Sequence, residues 1–437
     1  MTTTTTTTTA VKDSFDRFGD DLAELLLQYL PIDDRLRLQS VSKQWLTLIF
    51  NTETHLVFDW DLLDRMSLVT NRDNYLIIKL FELIVSKLPN ITAVTISNNS
   101  ILSTVVHLIN SFINLLIKYC HRLRHISIGH YYLGQWSGIT DRMVKLFFNR
   151  FGQQLLTFKF VGNLKVNEVD NHIFNRQLFY KVVDGMPNLK TLFITSVLLN
   201  HLFIGNNNNN NKCHVLPKSL QSLNIELDNL SMPLLARFAD IYGQQLTSLT
   251  IWSNRKTIGS NFIGNLFTTI GRNCRQLKSL EFYFLIKNML TIKRMFSAIN
   301  EHMSPQLRRL SLNCLPKHTP QYWSDVLLTS DMLNRLHGLT HFTFKFSEWP
   351  AISDSFFLDI HRNLPRLQSI HIDEVSISQK SIQSMGQLKH LTDVYLRCDP
   401  YNDITLTHLL IDTKVKHLCI EYSEWYIRQT DIDIWDD

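Results

Sequence analysis

Cys120, His121, His125 and His130 put one thiol and three imidazoles into a single short stretch, and these are the donor types a zinc ion takes. Such a site needs convergence, and the local pattern opposes it. Cys120 and His121 precede an alternating stretch in which Ile126 points to one side and His125 to the other. No metal is therefore expected. The other reactive side chains are scattered. His341 and His371 stand singly at strand positions, without an evident base or nucleophile partner. Gly259 and Gly264 lack the Lys-Ser/Thr pair that completes a phosphate-cradling loop. Neither an HExxH helix nor a GxSxG turn occurs. The residues imply no catalytic constellation and no cofactor.

The elements that carry these side chains follow one repeated pattern: apolar, two variable residues, apolar, one variable residue, apolar. It reads ITAVTI at Ile91, LRHISI at Leu123, LLTFKF at Leu155, LKTLFI at Leu189, LQSLNI at Leu220 and LTSLTI at Leu246. It continues as LKSLEF at Leu277, LRRLSL at Leu307, LTHFTF at Leu339, LQSIHI at Leu367, LTDVYL at Leu391 and VKHLCI at Val415. Successive first anchors are 24 to 34 residues apart. Each unit places apolar residues at i and i+2, such as Leu280 and Phe282, on one side of a strand. An amphipathic helical stretch usually follows, as in SFFLDIHRNLPRL from Ser355. A strand and helix of roughly 30 residues need neighbours to cover their core.

This pattern resembles the leucine-rich repeat family from about Leu56 to the C-terminus. GITD at Gly138 and AISD at Ala351 stand where the family's cysteine-containing subtype turns into its helix. CHRL at Cys120 and CRQL at Cys274 stand where that subtype has a cysteine before the next strand. The resemblance implies an α/β solenoid, with parallel strands on a concave face and helices on a convex face. Uneven repeat lengths imply an irregular horseshoe.

The stretch RFGDDLAELLLQYLPIDDRLRLQSVSKQW, Arg17 to Trp45, reads as two or three short helices. On a helix from Asp20 to Leu30, the residues Leu22, Leu25, Leu26, Tyr29 and Leu30 form one stripe, and Leu27 falls outside it. Pro31 ends this helix and Asp33 can cap the next. A segment below ~40 residues, without disulfide or metal, seldom folds unaided. Its surplus leucines call for an external surface. Here the sequence resembles the F-box, the motif that docks onto the Skp-type adaptor of cullin–RING ubiquitin ligases. Phe18 stands at the motif's opening Leu, Asp21 and Leu22 at its Glu-Leu, and Leu26 and Leu27 at its Ile-Phe. Tyr29 and Leu30 stand at its Tyr-Leu, and VSKQW from Val41 at its Val-Cys-Lys-Arg-Trp. Gly19 and Ser42 replace the motif's Pro and Cys. The resemblance implies that Phe18, Leu22, Leu25, Leu26, Leu27, Leu30, Pro31, Leu36, Val41 and Trp45 bind the adaptor. Cullin and RING protein follow through that adaptor.

The chain then divides into a Thr-rich, disordered tail over residues 1–13, an F-box over 14–50, and about twelve irregular repeats over 51–437. An Asn-rich loop at 205–213 interrupts the array. The composition, 44% apolar and 19% charged, suits a buried core. A net charge of +5 without a basic block gives no reason to expect a nucleic-acid partner. Six cysteines without a CxxC pair suit a reducing compartment. There is no signal-peptide pattern and no apolar run long enough to span a bilayer. These features suggest a soluble protein of cytoplasm or nucleus. Strand residues beside the buried anchors should line the concave face and meet an unknown protein substrate. Phe193, Trp252, Tyr283, Arg309, His341, Lys345, His371, Tyr395 and Arg397 are the candidates. Trp252 and Tyr283 should lie close together. Trp435, in the acidic DIDIWDD tail, should seal the last repeat or fold back across this face. The rival reading is a binding scaffold outside any ligase, with N-terminal helices that only cap the solenoid. An enzyme or small-ligand receptor is the third reading, and no converging polar cluster favours it.

Overall fold

A computed structural model describes residues 19–30, 34–35, 38, 43–58, 62, 70, 73–98, 103–130, 141–162, 185–194, 216–226, 232–258, 260–286, 289–303, 305–316, 328–346, 354–375, 377–398 and 415–422. Phe18, Pro31, Leu36, Val41, the Thr2–Thr9 tract, Asn206–Asn211 and Trp435 lie outside these residues. The chain divides into two compact units, residues 1–191 with 214–217, and residues 192–213 with 218–437.

The first unit opens with helices α1 (Asp20–Gln28) and α2 (Lys43–Thr52). Asp20 and Asp21 occupy the first turn of α1, where negative charge suits the helix dipole. Strand and helix then alternate: β1 (His55–Phe58), α3 (Asn74–Lys87), β2 (Ala93–Asn98), α4 (Ser103–Tyr119), β3 (His125–His130), α5 (Asp141–Phe151) and β4 (Thr157–Gly162). Each strand pairs in parallel with the next, residue for residue, so Leu56, Val94, Ile126 and Phe158 form one buried row. Strand β1 precedes the first of the repeats counted in the sequence. Its pattern is broken because Glu53 stands where the other units have an apolar anchor.

Strand β5 (Thr191–Ile194) comes next in the chain. The second unit continues with β6 (Ser222–Glu226), α6 (Met232–Tyr242), β7 (Ser248–Ile258), α7 (Ser260–Asn273), β8 (Ser279–Ile286), α8 (Met289–His302) and β9 (Arg309–Pro316). Beyond these lie β10 (His341–Phe346), the short helices α9 (Asp354–Phe357) and α10 (Ile360–Asn363), β11 (Ser369–Val375), α11 (Gln379–Gly386), β12 (Asp393–Cys398) and β13 (His417–Tyr422). From β6 to β13 every pairing is parallel and in chain order. The fold is an α/β solenoid.

The alternation read from the sequence is the alternation in space. Along β10, Phe342, Phe344 and Phe346 are buried, while His341, Thr343 and Lys345 remain half exposed. The buried row Leu249, Leu280, Leu310, Phe342, Ile370 and Val394 runs across six strands. Aromatic rings fill the space between this row and the helices. Phe296 of α8 stands 5.7 Å from Phe344, and Phe356 of α9 stacks on Phe342 at 5.5 Å. A backbone spine fixes the register just before each strand. The amide of Thr340 donates to the Arg308 carbonyl at 2.8 Å, Gln368 to Thr340 at 2.7 Å, and Thr392 to Gln368 at 2.8 Å.

Candidate functional site

Among the described residues, the side chains that invited a zinc reading do not come together. Cys120 is buried, and burial pushes its thiol up to about 12. His121 is exposed and lies 2.9 Å from the Arg150 guanidinium. His125 faces the sheet surface, 2.9 Å from the Thr157 hydroxyl. Cys274 and Cys314 are also buried thiols pushed up to about 12, so they too are poor nucleophiles.

Two surfaces remain. The first is the outward face of the sheet in the second unit. There Ser279, Arg309, His341, Ser369, Asp393 and His417 form one register row. Glu281, Ser311, Thr343, His371, Tyr395 and Cys419 form the next. Trp252 and Tyr283 are direct register partners on β7 and β8, as their spacing in the sequence implied. Phe193 differs from expectation. It is buried, because its ring packs against Trp252 with centroids 5.3 Å apart, so it supports the surface and is not presented on it. At the other end, His371 contacts the Tyr395 ring at 3.9 Å and lies 3.2 Å from the Asp373 carboxylate. Burial opposes the charge on Asp373. The His371 bond and the charges of Arg397, His371 and Lys345 outweigh it and hold the carboxyl below its usual range. His371, Arg397 and Lys345 thus act on one acid, and Tyr395 lies against His371. Arg309 and His341 sit between the two groups, and burial, then the Arg309 charge, lowers the His341 pKa.

The second surface lies on α1 and α2. Ala23 and Leu27, one turn apart on α1, pack with Trp45 and Ile49, one turn apart on α2, in a buried cluster. Gln44 Nε2 on α2 donates to Asp20 Oδ1 on α1 at 2.6 Å. The leucine stripe of the sequence faces away from this cluster. Leu22, Leu25 and Leu26 are 43%, 47% and 40% exposed, Tyr29 is 80% exposed, and Leu46 of α2 adds 38%. Leu27 and Trp45, expected to meet an adaptor, are instead the module's own core. Two short helices need a shared apolar seam to hold together, and the Ala23–Leu27 edge supplies it. The broader leucine stripe is left over. Leu30 packs at the margin of the cluster, partly buried. Leu46 was not singled out in the sequence, though its place next to Trp45 puts it about 100° round the helix from that core residue.

A two-helix seam with an exposed leucine stripe has a counterpart among known families. Residues 15–55 match the F-box domain. No curated protein matches the chain. Among solved structures, the TLR13–ssRNA13 complex aligns at 13% identity with a TM-score of 0.34, covering 73% of this chain and 52% of that one. The chain thus spans about half the length of that relative. The yeast Rad7–Elc1 complex aligns at 12% identity with a TM-score of 0.39, covering 82% of this chain and 84% of that one.

The F-box helices connect to β1 through an ion pair whose acid is buried. Arg35 pairs with Glu53, the acid that breaks the repeat pattern. Arg35 Nε also donates to the Leu30 carbonyl at 2.7 Å, and Glu53 Oε1 accepts from the His55 amide at 3.1 Å. One guanidinium therefore ties the end of α1 to the head of β1. Asn90 reinforces the junction by donating to the Asn51 carbonyl at 2.9 Å, and the Lys87 ammonium lies 5.4 Å from the Phe50 ring. The only trace of this junction in the sequence is a carboxylate at an anchor position.

Proposed function

We propose that the chain is a substrate-recognition subunit of an SCF-type cullin–RING ubiquitin ligase. Its F-box docks on a Skp-type adaptor, and its sheet face recruits a protein substrate. The observation that carries this reading is the exposed stripe of Leu22, Leu25, Leu26 and Tyr29 on a module whose own core is already filled. Apolar side chains left in water after the core closes mark a contact surface. On this reading the chain makes no covalent bond. It holds a substrate beside a ubiquitin-loaded enzyme, and the gain is effective concentration. The working compartment is the cytoplasm or nucleus. Co-expression of the full chain with a Skp-type adaptor and cullin tests the reading. The expected result is one complex that survives size-exclusion chromatography. A chain that elutes without the adaptor would contradict it.

One observation favours a second reading, a scaffold outside any ligase. The Arg35–Glu53 pair binds the helices to β1, as a cap on the first repeat also requires. A cap needs no adaptor, so the same experiment separates the two.

A further inference from the structure

On the outward sheet face of the second unit, aromatic rings meet a carboxylate, that of Glu281. Trp252 and Tyr283 oppose each other on adjacent strands, roughly 5 Å apart at the backbone. The buried Phe193 ring packs against the Trp252 ring. Glu281 accepts from the Tyr283 hydroxyl at 2.6 Å and from the Thr250 hydroxyl at 3.4 Å. Both donors are neutral hydroxyls, and a carboxylate has about four acceptor positions. Glu281 and Trp252 are half exposed, and Tyr283 is exposed. Among the described residues no Lys, Arg or His pairs with Glu281. Arg309 on the next strand is in register with Ser279, one row away.

We propose that this spot takes an arginine or lysine side chain of the recruited protein. A cation satisfies both halves of the site at once: it lies against the indole face and pairs with the carboxylate. A neutral apolar group would strip water from Glu281 without replacing its partner. An acidic group would be repelled. Trp252 and Tyr283 supply large contact area at small rotamer cost, as interface anchors do. This inference rests on the reading of the sheet face as the recruiting surface.

A phage-displayed random peptide library selected on the full chain tests it, followed by anisotropy titration of the winning peptide. The expected outcome is enrichment of Arg or Lys at one position. Glu281→Gln, which keeps the shape and the Tyr283 bond, should weaken the peptide about tenfold. Replacing the peptide's basic residue by Gln should do the same, and the two changes together should cost no more than either. Glu281→Lys should shift the selection toward Asp and Glu. Selection without a basic preference, or one unchanged by Glu281→Gln, overturns the inference. Adaptor co-purification from the same preparations keeps the two claims apart. Adaptor bound with no basic preference rejects this site alone. Adaptor absent with a Glu281-dependent preference rejects the ligase reading and leaves a binder of basic peptides.

Discussion

Asp354 shows how one side chain can join two repeats. Its carboxylate accepts from the Ser378 amide at 2.7 Å, from the Ser378 hydroxyl at 2.6 Å, and from the Ser381 hydroxyl. Ser378 is the N-cap of α11, so an acid from one repeat closes the helix start of the next. Burial raises the Asp354 pKa, but the bonds from Ser378 and Ser381 outweigh it, and the carboxyl sits below its ordinary value. A folded pKa below the unfolded one gives stability that is present above the unfolded value and is lost as pH falls through the folded one. Asp354→Asn should therefore melt below wild type at pH 7, by about 1 kcal/mol. The gap should close below about pH 4. Melting curves across that range check both points, and a gap independent of pH would count against the charged cap. Arg35 makes a sharper case. Arg35→Ala leaves Glu53 a buried acid without its partner, which should cost about 3 kcal/mol. Arg35→Met with Glu53→Leu should recover most of that loss. Chemical denaturation of the single and double variants measures the difference.

At the scale of elements, close packing between repeats restricts residue choice at helix ends. A Cβ on Gly271 of α7 would lie 2.3 Å from the His302 carbonyl oxygen of α8. The oxygen it meets belongs to the backbone and cannot swing aside, so one helix must shift against the other. Gly271→Ala should destabilise the second unit by about 2 kcal/mol. Hydrogen exchange should then rise in β8 and β9 before it rises in the first unit, because repeat arrays transmit damage mainly to neighbours. The strands were the most legible elements of the sequence. The period-two anchors are buried because a strand can only send alternate side chains to one side. The helix α1 was legible in part. Its strongest apolar stripe was correctly placed on one face, but the core lies on another. Ala23 gave no apolar signal large enough to reveal that edge, and Leu27 looked surplus. Phe193 was misjudged for a similar reason. Alternation assigned it to the outward face, and there the Trp252 ring, about 60 residues on, packs against it.

At the scale of the whole chain, a short helical module with an exposed leucine stripe leads into a long series of strand–helix units. The repeat pattern and the F-box were both legible, since each depends on side chains close in sequence. What lay beyond reach were contacts across long separations: the Arg35–Glu53 junction, the Asp354 cap, and the influence of Lys345, His371 and Arg397 on Asp373. Division of labour follows from this arrangement. On the proposed function, the exposed stripe of α1 carries adaptor binding while Leu27 belongs to the module's own core. Paired alanine variants of the full chain, titrated against a Skp-type adaptor by calorimetry, test this most directly. Leu22→Ala with Leu26→Ala removes exposed surface, and should weaken binding by roughly a hundredfold while leaving the melting temperature unchanged. Leu27→Ala removes core, and should lower the melting temperature instead. Equal adaptor affinity in wild type and the Leu22, Leu26 double variant, or no binding by wild type, would contradict the account.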